Sequence, residues 1–140
     1  MAFKFSGTTH PDVVAAFSRY TELTFPHPVP SEDIATTAAV SGCAVTVNNM
    51  TQKLQLETDE SYTLDISAAG ACTITAETYV GALRALETFS QLVMFDFDTQ
   101  TYGIAAAPWS IKDAPRFHHR AQNSALFVLP GALLTGCMDC

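Results

Sequence analysis

The stretch Thr75–Val93 constrains the fold more than any other part of the sequence. It reads TAETYVGALRALETFSQLV, and its apolar residues recur every three or four positions, as on one face of an α-helix. Thr78 stands just before the periodic run as an N-cap, and Gly81, a poor helix former, predicts close contact with a neighbouring element. The apolar residues are Ala82, Leu83, Leu86, Phe89, Leu92 and Val93. The segment is therefore predicted to be a core helix without chemistry of its own.

A second helical pattern and several strand patterns surround this helix. Pro11-Asp12 opens a run with apolar residues at helical spacing, and the proline-rich loop Thr24–Ser31 ends it. Strands are predicted where apolar residues cluster or alternate with polar ones: Met1–Thr9, Ala39–Val47, Leu54–Leu56, Tyr62–Ile66, Cys72–Ala76, Tyr102–Ile104 and Trp109–Ile111. The strands from Leu54 to Ala76 form an expected meander. We predict an α+β fold in which both helices pack on one face of an antiparallel sheet.

Charge and hydropathy exclude several classes of partner. The 140 residues carry a net charge of −7, whereas nucleic acids and anionic membranes attract basic patches. No apolar run reaches the roughly 18 residues of a membrane-spanning helix. The N-terminus, MAFKFSGTTH, lacks the apolar core of a signal peptide. The protein is therefore expected to be cytosolic, or its true N-terminus lies outside this sequence.

The cysteines and one asparagine are candidates for covalent modification. Cys43 and Cys72 lie in apolar, strand-like surroundings, where a buried thiol and a disulfide are equally allowed. Cys137 and Cys140 form a CxxC without the second pair that would indicate zinc. Asn49 begins the N-glycosylation sequon Asn-Met-Thr, which has meaning only if the chain enters the secretory pathway.

The residues themselves do not form a recognisable active site. Asp59 and Glu60 are an adjacent acidic pair, but they fall in a predicted turn where water solvates both carboxylates. His118 and His119 are adjacent and lack the spacing that places two imidazoles on one metal ion. The motifs HExxH and GxSxG and a glycine-rich phosphate loop are missing from the sequence. No catalytic residue, metal site or cofactor is predicted.

Several segments nevertheless resemble the N-terminal, non-catalytic domain of the β-N-acetylhexosaminidases of glycoside hydrolase family 20. They are GALRALETFSQLV at Gly81–Val93, DESYTLDI at Asp59–Ile66, IKDAPRFHHR at Ile111–Arg120 and AAFSRYTELTF at Ala15–Phe25. The resemblance covers residues 3–120. It implies a zincin-like α+β layer and a lysosomal or secreted protein.

The resemblance also implies a function. The family removes terminal N-acetylglucosamine or N-acetylgalactosamine from glycoconjugates, with the acetamido oxygen of the substrate as nucleophile. Its catalytic Asp-Glu pair stands on a following (β/α)₈ barrel, which this sequence does not reach. Arg120 matches the arginine of the family motif PRFxHRG, which hydrogen-bonds the sugar; its guanidinium would act only beside a barrel.

After Arg120 the sequence departs from the family. Ala121 stands where the family has glycine, and AQNSALFVLPGALLTGCMDC resembles no barrel strand. We therefore expect an α+β domain at residues 1–117 and a divergent, poorly ordered tail at 118–140. The chain is expected to be a truncated hexosaminidase that is inactive alone, with the barrel as partner and glycoconjugates as substrate only in that context. The alternative is a stand-alone interaction or carbohydrate-binding module that uses Trp109, Tyr102 or Phe117.

Overall fold

The computed structural model describes residues 4–8, 10–29, 42–51 and 53–117. These residues form two helices and seven strands, and runs of strands separate the helices, as in an α+β fold. In chain order the elements are β1 (Lys4–Gly7), α1 (Pro11–Thr24), β2 (Gly42–Asn49), β3 (Tyr62–Ile66), β4 (Cys72–Thr78), α2 (Tyr79–Leu92), β5 (Val93–Asp96), β6 (Thr101–Ile104) and β7 (Trp109–Asp113). The expected α+β class is confirmed.

Five strands form a mixed sheet in the order β1-β2-β4-β3-β7. β1 pairs with β2, and β2 with β4, in parallel, whereas β3 is antiparallel to both β4 and β7. The prediction of an antiparallel sheet is therefore wrong for one half of it. The crossover from β1 to β2 contains α1, and a crossover of this kind returns the chain in the same direction. β4 then inserts between β2 and β3 rather than extending a meander.

The prediction of a strand at Leu54–Leu56 is also wrong, because this segment forms no strand. Leu54 and Leu56 are 71% and 64% exposed, so their alternation does not mark a buried face. The buried Thr58 organises this loop instead. Its hydroxyl accepts a hydrogen bond from the Gln55 N–H at 2.8 Å and donates one to the Lys53 carbonyl at 3.2 Å. Backbone groups that would pair in a strand are thus satisfied locally.

The core lies between the sheet and the helices. β4 alternates strictly between buried and exposed residues, and β2 and β3 bury every second residue in the same way. α2 packs on these three strands, and α1 packs beside α2. The ring of Phe5 joins the layers, with its centroid 5.3 Å from Phe17 of α1 and 5.6 Å from Phe89 of α2. Both helices therefore cover the apolar face, as the spacing predicted.

The helix α2 begins at the cap that the sequence indicated. Thr78 is the N-cap residue, and its hydroxyl accepts a hydrogen bond from the Gly81 N–H at 3.4 Å. The helix ends at Leu92, one residue earlier than expected, because Val93 starts β5. β5 and β6 form a separate two-stranded hairpin, with Val93 opposite Ile104. None of the described helices combines the length and hydropathy needed to cross a membrane.

Candidate functional site

A cluster of aromatic rings lies where the loop after α1 meets the β5–β6 hairpin. We call it the aromatic surface and define it by Phe25, His27, Phe95, Phe97 and Tyr102. The Phe95 centroid lies 4.6 Å from that of His27, 5.0 Å from that of Phe97 and 4.8 Å from that of Tyr102. Phe25 meets Tyr102 edge-on at 5.0 Å. Phe97 is 69% exposed, so the cluster reaches the outside of the domain.

The loop and the hairpin are joined by two hydrogen bonds to one hydroxyl. The Tyr102 hydroxyl accepts from the His27 backbone N–H at 2.6 Å and donates to the His27 carbonyl at 3.2 Å. Because both backbone polar groups of His27 are bound to Tyr102, the loop is held against the hairpin. The aromatic surface is therefore a defined shape rather than a set of independent side chains.

A polar cluster links the two helices. The Tyr20 hydroxyl of α1 donates to Glu87 Oε2 of α2 at 2.9 Å, and Gln91 Nε2 donates to Glu87 Oε1 at 3.0 Å. Burial raises the pKa of the Tyr20 hydroxyl above its ordinary value, and the hydrogen bond to the Glu87 carboxylate raises it further. This tyrosine stays protonated at neutral pH, which suits a structural contact between helices.

A second tyrosine has similar chemistry deeper in the domain. The Tyr62 hydroxyl lies 2.6 Å from Thr88 Oγ1 and donates to Asp113 Oδ2 at 3.4 Å. Burial raises the pKa of Tyr62; the hydrogen bond with Thr88 opposes this effect, and the Asp113 charge adds to it. These contacts connect β3, α2 and the edge strand β7, so they hold the layers together rather than serving a reaction.

The acidic pair Asp59-Glu60 is occupied by structural contacts. Asp59 Oδ1 accepts the Ser61 N–H at 2.8 Å, and hydrogen bonds from Ser61 lower the pKa of the Asp59 carboxyl. Glu60 Oε2 forms an ion pair with Arg84 Nε at 2.9 Å. A general acid at neutral pH needs a raised pKa, and Asp59 has the opposite shift. Glu60 thus anchors α2 to the chain that leads into β3, while the Asp59 carboxylate binds the backbone of that chain.

Comparison with known proteins decides the family of this domain. Residues 4–92 match a family model described as beta-acetyl hexosaminidase like. The chain belongs to this family.

Individual relatives agree with the match. Beta-hexosaminidase 1 of Arabidopsis thaliana is 40% identical over 120 residues, which cover 76% of this chain and 22% of that protein. Beta-hexosaminidase subunit B2 of Dictyostelium discoideum is 36% identical over 110 residues, which cover 75% of this chain and 19% of that protein. The chain thus spans about a fifth of the length of these relatives.

The fold also matches a solved structure of a chitobiase from Flavobacterium johnsoniae. The TM-score is 0.55 at 27% sequence identity, and the match covers 82% of this chain and 17% of that chain. Sequence and fold therefore agree that this domain corresponds to the non-catalytic domain of family 20 hexosaminidases, as the resemblance implied.

Several residues that the sequence singled out in this hexosaminidase-like chain lie outside the described residues. They include Arg120, His118, His119, Cys137 and Cys140, together with the tail at residues 118–140. Within the described residues, no group of three or more histidine, cysteine or acidic side chains is arranged to hold a metal ion.

The two remaining cysteines and the sequon asparagine can be placed. Cys43 and Cys72 form a disulfide between β2 and β4, where the two residues are direct register partners. Asn49 is the last residue of β2. The three residues therefore lie on two neighbouring parallel strands, and none of them contributes to the aromatic surface.

Sequence reasoning missed the aromatic surface and the Tyr20–Glu87 contact. Both combine side chains that lie 67 or more residues apart in the sequence, as the contacts of Tyr20 with Glu87 and of His27 with Tyr102 show. The only local signal was the density of aromatic residues in the segments around Phe25 and Phe95. Alternation in the second segment could have indicated a strand.

Proposed function

We propose that this chain is the supporting domain of a β-N-acetylhexosaminidase of glycoside hydrolase family 20, and that it is inactive alone. The observation that carries the proposal is the family match over residues 4–92, in a chain that spans about a fifth of its relatives. In this proposal the complete enzyme removes terminal N-acetylhexosamine from glycoconjugates and is lysosomal or secreted. The zincin-like assignment of the layer belongs to the same proposal.

The aromatic surface is the proposed contact with a (β/α)₈ catalytic barrel. Contiguous exposed apolar patches on a soluble domain mark sites of interaction with another protein or domain. The face of the five-stranded sheet that points away from the helices is polar instead, since Thr46, Thr73 and Thr75 of β2 and β4 are exposed there. A sheet with one buried and one polar face leaves the polar face to water. The apolar end of the domain is therefore the side to which a barrel docks.

Arg120 is proposed to contribute to the substrate site only when a barrel is present. The residue follows β7 by seven positions, so it stands where the chain would pass from this domain into a barrel. A guanidinium can hold two sugar hydroxyls at once because its donors form a rigid fork. No other residue of this chain is assigned to the sugar.

Hydrolysis of a chromogenic N-acetylglucosaminide tests the proposal. The 140-residue chain is assayed beside a chimera in which residues 1–117 replace the matching segment of the Arabidopsis β-hexosaminidase. We expect turnover by the chimera and none by the isolated chain. Turnover by the isolated chain would overturn the assignment of a supporting role. Sugar binding without turnover by the isolated chain would instead favour a carbohydrate-binding module.

A pair of surface variants tests where the barrel docks. Phe97→Ser removes an exposed side chain from the aromatic surface, and Leu54→Ser removes a similarly exposed one from the loop before β3. We expect Phe97→Ser to weaken binding of residues 1–117 to a separately expressed barrel by at least tenfold, about 1.4 kcal/mol. Leu54→Ser should leave binding unchanged. Equal effects of the two variants would place the contact elsewhere.

A further inference from the structure

Asn49 is the final residue of β2, and it begins the sequence Asn49-Met50-Thr51. We propose that Asn49 is an N-glycosylation site, which in the mature protein carries an oligosaccharide linked through its side-chain amide. The sequence alone could not separate this sequon from the many that occur without use. Three structural observations on β2 and the turn after it favour the use of this sequon.

Thr51, the third residue of the sequon, is hydrogen-bonded to the side-chain carboxamide of Asn49. Asn49 Oδ1 accepts hydrogen bonds from the Thr51 N–H at 3.1 Å and from the Thr51 hydroxyl at 3.2 Å. The third residue of the sequon thus holds the oxygen of the Asn49 amide through both its backbone and its side chain. This pattern is a local turn in which an asparagine side chain binds the backbone two residues later.

The end of β2 offers space for a large substituent. The ladder between β1 and β2 ends at the pair Gly7–Val45, four residues before Asn49. On the other side Asn49 pairs with Thr78, the last residue of β4, so the position lies at the rim of the sheet. Met50 is 37% exposed, and Thr51 is exposed as well. Asn49 alternates with the buried Cys43, Val45 and Val47 and is itself half-buried, so an oligosaccharide there leaves the domain by way of the strand end rather than across the core.

The same strand carries a second modification that needs the secretory pathway. Cys43 begins the buried part of β2 and is bonded to Cys72 of β4. Structural disulfides form and persist in oxidising compartments and are rare in the reducing cytosol. N-glycosylation is likewise confined to chains that enter the secretory pathway. The disulfide therefore favours the compartment in which the sequon could be used, and it does so by chemistry that is independent of the sequon.

The covalent step uses a lipid-linked oligosaccharide pyrophosphate as the sugar donor. The Asn49 Nδ2 lone pair forms a bond to the anomeric carbon of the oligosaccharide. The bond between that carbon and the pyrophosphate oxygen breaks, and the lipid pyrophosphate leaves with its electron pair. One amide proton passes to a base of the transferase, so the product is a neutral N-glycosidic amide.

The test is the mass of the full chain before and after treatment with a peptide N-glycosidase. The enzyme converts a glycosylated asparagine to aspartate, and heavy-oxygen water labels that site in the peptide spectrum. We expect the label at Asn49 both in protein recovered from its own cells and in the full chain secreted behind a leader from a eukaryotic host. The chain contains three asparagines, and Asn49 alone begins a sequon.

Three variants make the result specific. Asn49→Gln and Thr51→Ala should both abolish the mass loss, while the neighbouring Asn48→Gln should retain it. Asn48 lies one position earlier on the same strand and hydrogen-bonds to Glu77 at 3.0 Å, so its substitution is a matched control for local disturbance. A secreted, disulfide-bonded wild-type chain without glycan would overturn the proposal. So would a mass loss that persists in Asn49→Gln.

Discussion

The carbonyl oxygen of Ser61 occupies the space in which a side chain on Gly81 would begin. A Cβ atom built at position 81 would lie 2.5 Å from that oxygen and 3.2 Å from the Glu60 carbonyl group. The first turn of α2 therefore packs directly on the backbone that leads into β3. This contact explains why a residue that costs about 1 kcal/mol in a helix relative to alanine stands in the first turn of α2.

Gly81→Ala should destabilise the domain although alanine is the better helix former. The added methyl group meets backbone atoms that cannot rotate away, and overpacking of this kind costs about 1–3 kcal/mol. Gly103→Ala is the control, because a Cβ there meets nothing within 4 Å. Urea unfolding followed by circular dichroism measures both. Equal stability of the two variants would contradict the packing argument.

Thr78→Val should lower the free energy of unfolding by about 1–2 kcal/mol. The hydroxyl of Thr78 accepts the Gly81 N–H and donates to the Asp59 carbonyl, so valine leaves two backbone groups without this partner. Thr75→Val, on the exposed face of the same strand, should change stability by less than about 0.5 kcal/mol. Thermal and urea unfolding of the pair distinguish a cap from a general effect of strand substitution.

The double variant Cys43→Ala, Cys72→Ala should lose roughly 3–4 kcal/mol of stability, as expected for a cross-link that closes a loop of about 29 residues. The sequence separation of the two cysteines is 29. A reductant should lower the urea midpoint of the wild type and leave that of the double variant unchanged. No response of the wild type to reductant would mean that its thiols are free in solution.

Stability should fall as the pH rises above about 10, the ordinary pKa of tyrosine. Tyr20 and Tyr62 have raised pKa values in the folded protein, chiefly because burial disfavours the phenolate. Their contribution is complete below the unfolded pKa and is lost as the pH passes through the higher folded pKa. Tyr20→Phe and Tyr62→Phe should each flatten the decline measured by urea unfolding between about pH 9 and pH 11. An unchanged slope in both variants would exclude these tyrosines as its cause.

The secondary structure was predictable where local periodicity coincided with burial. The apolar residues of α2 and the alternating residues of β3 and β4 face the core as their spacing indicated. The loop at Leu54 and Leu56 has the same alternation and forms no strand, because none of the described strands pairs with it and Thr58 satisfies its backbone. Periodicity reports which side of a segment could be buried, but it does not report whether a partner is present.

The candidate site was less predictable than the fold. The aromatic surface forms because the β5–β6 hairpin packs against the loop after α1. The local sequence of neither segment indicates that it contacts the other. The contact between Tyr102 and His27 spans 75 positions in the sequence. By contrast, the sequon at Asn49 was visible as a three-residue pattern, and only its place at the rim of the sheet needed the structure.

The sequence by itself determined the helices, the buried faces of the central strands and the family, since each depends on spacing or identity within a short segment. The tertiary structure decided the parallel pairing of β1, β2 and β4, the bond between Cys43 and Cys72, and the aromatic surface. The physical reason is that strand order and side-chain clusters arise from contacts between distant segments. Their free energy depends on how the layers pack, which local periodicity does not encode.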